Sequence, residues 1–115
     1  MDHVKIDPQR SDPLFLQVAA DIRRAIAEGE AKPGERMPLA KDLATVLGVN
    51  KNTMLRALRV LRDEGLVEFR RGRGITVTGT PQRGAVATRV NELIAFARSQ
   101  GYRREELIGM IQAAP

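Results

Sequence analysis

A chain of 115 residues has room for one modest core and a short appendage, and not for an effector domain of ordinary size. Hydrophobic residues reach 43% but aromatics only 3%, which describes a helix-rich Leu/Val/Ala core, and no apolar run is long enough to span a membrane. The absence of cysteine excludes disulfides, thiol nucleophiles and cysteine zinc sites, while the net charge of +5 suits a polyanionic partner or, more blandly, solubility.

Met1 to Asp12, which holds the only histidine, His3, mixes charges with Pro8 and reads as an extended lead-in without the apolar core of a signal peptide. A first helix is expected from about Leu14 to Glu28, with Leu14, Val18, Ile22 and Ile26 repeating every four residues. Asp12 is its expected N-cap, Pro13 its first helical position and Gly29 its stop. Its Arg23 and Arg24 either face a phosphate backbone or belong to a scaffold helix.

KPGER is a turn signal. In the LAKDLATVLG that follows, Leu39, Leu43, Ala44 and Leu47 form one stripe, with Lys41 and Asp42 outside, as in a support helix. Gly48 and Val49 make a tight turn, and Asn50 is a good N-cap for a second helix, KNTMLRALRVLRDEG. Met54, Ala57, Leu58 and Leu61 share its buried face. Lys51, Asn52, Thr53, Arg56, Arg59 and Arg62 crowd the other side, and Gly65 ends the helix. Apolar behind and basic in front, this helix has what a major-groove reader needs, since arginine forks onto guanine and asparagine onto adenine. The same face also fits an ordinary solvated helix.

LVEF then reads as a strand, RRGRG as a turn and ITVT as a returning strand, with Leu66, Glu68 and Arg70 alternating with Val67, Phe69 and Arg71. The tip presents Arg70, Arg71 and Arg73 around Gly72 and Gly74, whose backbones can approach phosphates closely. From Lys41 to Arg73 there are eight lysines and arginines against four acids, so the charge excess concentrates on this unit.

TGTPQRG, Thr78 to Gly84, is a linker signal. A helix from about Ala85 to Gln100 follows, with Val86, Val90, Leu93, Ile94 and Ala97 in register, and Gly101 closes it. A last helix, Glu105 to Ala113, offers Leu107, Ile108 and Ile111, with Glu105 and Glu106 suited to its amino-terminal dipole. Two such helices cannot build their own core. These eight apolar residues are therefore expected to cover either another copy of the chain, as a dimerisation surface, or the preceding domain.

With these residues in place, the chain resembles the GntR family of bacterial transcription regulators. The resemblance lies in PLFLQVAADIRRAI, KPGERMP, DLATVLGVNKNTMLRAL and DEGLVEFRRGRGITV, over roughly residues 10 to 80. It implies a mainly α fold with a small β-hairpin: a winged helix-turn-helix over 10–80, then two short C-terminal helices over 81–115 that dimerise. The brief tail, with GYRREEL between its helices, resembles the YtrA subgroup, whose members are typically repressors. Lys41, Lys51, Asn52, Thr53 and Arg56 are thereby implied to lie near DNA, with Arg71, Gly72 and Arg73 in the wing. Leu39, Ala40 and Lys41 depart from the small hydroxyl, glutamate and arginine usual after the motif's proline. Leu55 takes a slot often held by arginine or a polar residue, where it either touches a thymine methyl or reaches back to the support helix. Arg103 stands where a Ser or Thr cap is usual, so the last helix is expected to fray at its start.

The function these features support is a cytoplasmic, sequence-specific regulator that binds a double-stranded, pseudo-palindromic operator as a homodimer. In that reading Lys51, Asn52 and Arg56 read bases, Lys41, Thr53 and Arg59 hold phosphates, and Arg71 and Arg73 enter or straddle the minor groove. The alternatives are a non-specific nucleic-acid binder and a winged helix that docks on a protein. No acid–base, nucleophilic or metal constellation is present, no cofactor is expected, and no residue pattern names an effector.

Overall fold

The computed structural model describes residues 12–72 and 74–115; the lead-in before Asp12, His3 included, and Arg73 of the wing lie outside the described residues. Five helices and three short strands follow in the order α1 (Leu14–Ala27), β1 (Arg36–Met37), α2 (Ala40–Leu47), α3 (Lys51–Asp63), β2 (Val67–Arg70), β3 (Gly74–Val77), α4 (Pro81–Ser99) and α5 (Arg104–Ala113). This is the expected mainly α fold with a winged helix-turn-helix order. Among the described residues, no helix is long and apolar enough to cross a membrane.

The core forms where the apolar stripes of the first three helices meet the wing. Val18, Ile22 and Ile26 of α1, Met54, Leu58 and Leu61 of α3, and Leu66 are fully buried, with Leu43 and Ala44 of α2 beside them. Each such aliphatic side chain contributes about 1.5 to 3 kcal/mol of transfer free energy. Leu14 departs from the expected stripe: one residue after the cap, it is exposed. The cap itself is Pro13 rather than Asp12, and no side chain caps it. Leu39 likewise precedes α2 as its N-cap and is 57% exposed instead of buried.

The wing is a three-stranded antiparallel sheet in the order β1-β3-β2. The hairpin pairs Val67 with Val77 and Arg70 with Gly74. The third strand, not expected from the sequence, comes from the segment read as a turn: Met37 pairs with Ile75, and Val77 N–H donates to the Glu35 carbonyl at 2.9 Å. The expected period-two alternation fails at the start of the hairpin. Leu66 and Val67 are both buried, because Leu66 precedes the sheet and turns into the helical core, while Phe69 lies 38% exposed.

The anticipated linker is mostly helix. Thr80 caps α4, its Oγ1 accepting from the Arg83 N–H at 3.1 Å, and Pro81 occupies the first turn, so the connection from β3 is only three residues long. Gly84, read as a linker residue, is buried where α4 crosses α1: a Cβ there would lie 2.8 Å from the Ala27 nitrogen. Helix α4 thus lies along α1, and α5 turns back onto α4. Arg103 is compensated from inside α5, where Glu106 Oε1 accepts from the Arg103 N–H at 3.0 Å and from its guanidinium at 3.2 Å.

Candidate nucleic-acid interface

Helix α3 is set by its two ends. Asn50 Oδ1 accepts from the Thr53 N–H at 2.8 Å, closing the first turn, and Gly65 at φ 77° carries the chain into β2. Between them Met54, Ala57, Leu58 and Leu61 face inward, which turns Lys51, Asn52, Arg56, Arg59 and Arg62 outward. Thr53 and Leu55 are half-buried at the edges of that face. Gly48 at φ 71° ends α2, and Lys41 stands exposed in the first turn of α2.

Two of these arginines, and Arg23 of α1, are held in different ways. The Arg56 guanidinium carbon lies 3.9 Å from the centroid of the Phe15 ring on α1. Arg62 lies 5.4 Å from the Phe69 ring and also reaches the Asp63 carboxylate at 3.3 Å. Arg23 of α1 is buried against Glu64, just past α3. Of the alternatives for Arg23, the scaffold role is therefore the one observed. Arg71 and Gly72 are exposed at the wing tip, with Gly72 at φ 79°, a backbone state that a side chain would strain. Arg70 is paired with Glu68. At the other end of the hairpin turn Gly74, at φ 72°, leaves contact distance to a Leu39 methyl, so the start of α2 and the wing tip are neighbours.

The tail residues divide into two groups. Ala97 and Leu107 are buried where α4 and α5 meet, which removes them from any outer surface, and Ile94 is half-buried. Val86, Val90, Leu93, Ile108 and Ile111 remain exposed, and so do Phe96 and Met110, which periodicity had not singled out. Of these, Val86 and Val90 line an open groove of about 820 Å³, with Leu16, Val60 and Ile94 and the polar Glu64 and Asn91.

Sequence reading missed Phe15, Glu64, Arg83 and Asn91 as parts of this assembly. Asn91 alone left a trace, as an amide between Val90 and Ile94 on an otherwise apolar helix face. Among the described residues, no cluster of histidines and acids is placed to hold a metal.

Residues 14–77 match the model of the family described as bacterial regulatory proteins, gntR family. The chain is 35% identical over 75 residues to the HTH-type transcriptional repressor YtrA of Bacillus subtilis, which aligns with 65% of this chain and 58% of that protein. It is 30% identical over 115 residues to the HTH-type transcriptional regulator Rv1152 of Mycobacterium tuberculosis, covering 99% of this chain and 95% of the relative. The chain therefore spans just over half of the first relative and nearly all of the second. Among solved structures, YtrA from Sulfolobus acidocaldarius, a GntR-family transcription factor, superposes with a TM-score of 0.63 at 34% identity, covering 80% of this chain and 97% of that one. The DNA-binding domain of AraR in complex with operator ORX1 superposes with a TM-score of 0.59 at 26% identity, over 66% of this chain and 98% of that one. A capped basic helix beside a glycine-tipped wing, on a fold shared with these proteins, makes the chain a member of the GntR family, close to its YtrA-like subgroup: a transcription regulator with a DNA-binding domain, and not an enzyme.

Proposed function

We propose that this chain is a sequence-specific repressor that binds a pseudo-palindromic operator in the cytoplasm as a homodimer. The observation that carries the reading is the outward face of α3, where Lys51, Asn52, Arg56 and Arg59 stand exposed over an apolar core, together with Arg71 exposed at the wing tip. Lys51, Asn52 and Arg56 read base edges. Lys41, Thr53 and Arg59 hold phosphates, and Arg71, Gly72 and Arg73 engage the adjacent minor groove. AraR's DNA-binding domain, solved on an operator, and the repressor YtrA support the partner and the direction of regulation.

Residues 10–80 form the DNA-binding unit, and 81–115 pair two copies. Support for pairing comes from Val86 and Phe96, 64% and 63% exposed on α4, and from Met110 and Ile111, exposed on α5, large apolar side chains that a second copy would cover. Cutting the tail would strip α1 of its cover, so the test uses Val90→Glu with Phe96→Glu on the full chain. Solution mass and DNA titrations, on a duplex selected by the wild-type chain from a randomised pool and on a scrambled duplex, are measured together. The expected result is a folded monomer that has lost most of its preference for the selected duplex. A variant that stays dimeric, or a wild-type chain without preference between the duplexes, would defeat the proposal.

A further inference from the structure

We infer that Phe15, on a helix that contributes no base reader, is a positioning residue for sequence recognition: its ring holds the Arg56 guanidinium in place at the flank of the reading face. The inference rests on the reading of Arg56 as a base contact and asks what makes that contact selective.

Phe15 lies in the first turn of α1, packed against the core by part of its ring and only half-buried. Arg56 covers it, guanidinium carbon to ring centroid 3.9 Å. Arg62 also lies over a ring, Phe69, but at 5.4 Å and with a carboxylate beside it, and Arg83 is held by a backbone carbonyl; among the described residues, Arg56 has the ring without a carboxylate. Arg23, Arg24, Arg62, Arg70, Arg89 and Arg103 are each held by a carboxylate, which cancels the charge that a polyanion would attract. An aromatic face restrains the side chain through its quadrupole and leaves the full positive charge and the in-plane N–H groups available. Those in-plane groups are the ones that fork onto guanine O6 and N7. Arginine has several rotatable bonds, so a side chain already restrained in the free protein loses less conformational freedom on docking. The gain falls on the specific complex, where the fork must be aimed. It is small on random DNA, where a freely moving cation serves as well.

The test is a coupling experiment on the full chain, using the duplex selected by the wild-type chain from a randomised pool and a scrambled duplex of equal length. Phe15→Leu keeps an apolar filler but removes the ring; Phe15→Tyr keeps the ring. Thermal unfolding verifies that each variant is folded, and Phe15→Met carries the same measurement if Phe15→Leu does not fold. Phe15→Leu is expected to weaken binding to the selected duplex by about three- to tenfold while changing scrambled binding by less than about twofold. Phe15→Tyr is expected to restore the preference. In an Arg56→Ala background Phe15→Leu should have no further effect on the selected duplex. The inference is overturned if Phe15→Leu loses as much with Arg56→Ala as without it, or loses equally on both duplexes, since either marks a purely structural role. It is also overturned if Arg56→Ala loses preference and Phe15→Leu does not. If Arg56→Ala itself leaves the preference intact, the assignment of Arg56 as a reader has failed, and the inference falls with it.

Discussion

Arg23 and Glu64 meet as a two-pronged ion pair, Nε to Oε1 at 2.7 Å and Nη2 to Oε2 at 2.8 Å, joining the middle of α1 to the end of α3. Glu64 gathers more than this. Its Oε2 also accepts from Asn91 Nδ2 of α4 at 3.1 Å, and its backbone carbonyl accepts from Arg83 Nε at 3.0 Å. Three helices therefore share one carboxylate at the base of the recognition helix.

Because the arginine side chain is only 5% exposed, removing either partner strands a desolvated group. Glu64→Ala is expected to cost about 2 to 4 kcal/mol in chemical denaturation, below the fully buried range because the glutamate keeps some contact with water. Glu64→Gln, which keeps the shape and one acceptor, should cost less. Equal losses for the two would show that the charge alone matters, and that the retained shape and acceptor contribute nothing.

Two glycines in tail helices should respond oppositely to the same change. Gly84→Ala places a methyl 2.8 Å from the Ala27 nitrogen and 3.1 Å from its Cα, so α4 must move off α1. A loss of about 1 to 3 kcal/mol is expected despite the better helix propensity of alanine. Gly109→Ala, in α5, meets nothing within 4 Å and should stabilise by about 0.5 to 1 kcal/mol. Thermal unfolding of the two variants side by side tests the difference in sign.

Asn50→Ala removes the acceptor for the Thr53 N–H and should cost about 1 kcal/mol, read by denaturation. Asn50→Asp and Asn50→Ser keep a side-chain oxygen and should recover most of it. If they do not, the cap is not the reason for asparagine at this position.

Arg71→Ala at the wing tip should weaken binding to selected and scrambled duplexes alike and lower the salt slope by about one unit, the signature of a lost cationic contact rather than a lost base contact. A loss confined to the selected duplex would make Arg71 a reader instead.

The recognition helix was legible because local signals agreed with each other: the Asn50 cap, the Met54 to Leu61 stripe and Gly65 all concern neighbours on one helix. The rest depended on contacts that leave no periodic trace. Glu64 lies 41 residues from Arg23 and 27 from Asn91, and nothing in its own neighbourhood marks it as more than a helix-end acid. Strand β1 is two residues long, too short for an alternation to register. Gly84 misled for a physical reason: glycine serves a flexible linker and a close helix crossing equally well, and only the Ala27 backbone across from it tells them apart. On the candidate DNA face, residue identities were readable in advance, whereas the stacking of Arg56 on Phe15 was not.

The crossing at Gly84 bears on what spacing of half-sites the protein accepts. With α4 seated on α1 through that glycine and tied to the end of α3 through Glu64, no slack separates the tail from the recognition helix. In a dimer joined through α4, the angular phase between the two reading helices is then built into the protein. Each base pair inserted between half-sites turns one of them by roughly a tenth of a full rotation about the DNA axis. A protein without compliance at this joint meets such an insertion as a mismatch that it must resolve by twisting the DNA, so its operators should hold one centre-to-centre distance rather than a family of them.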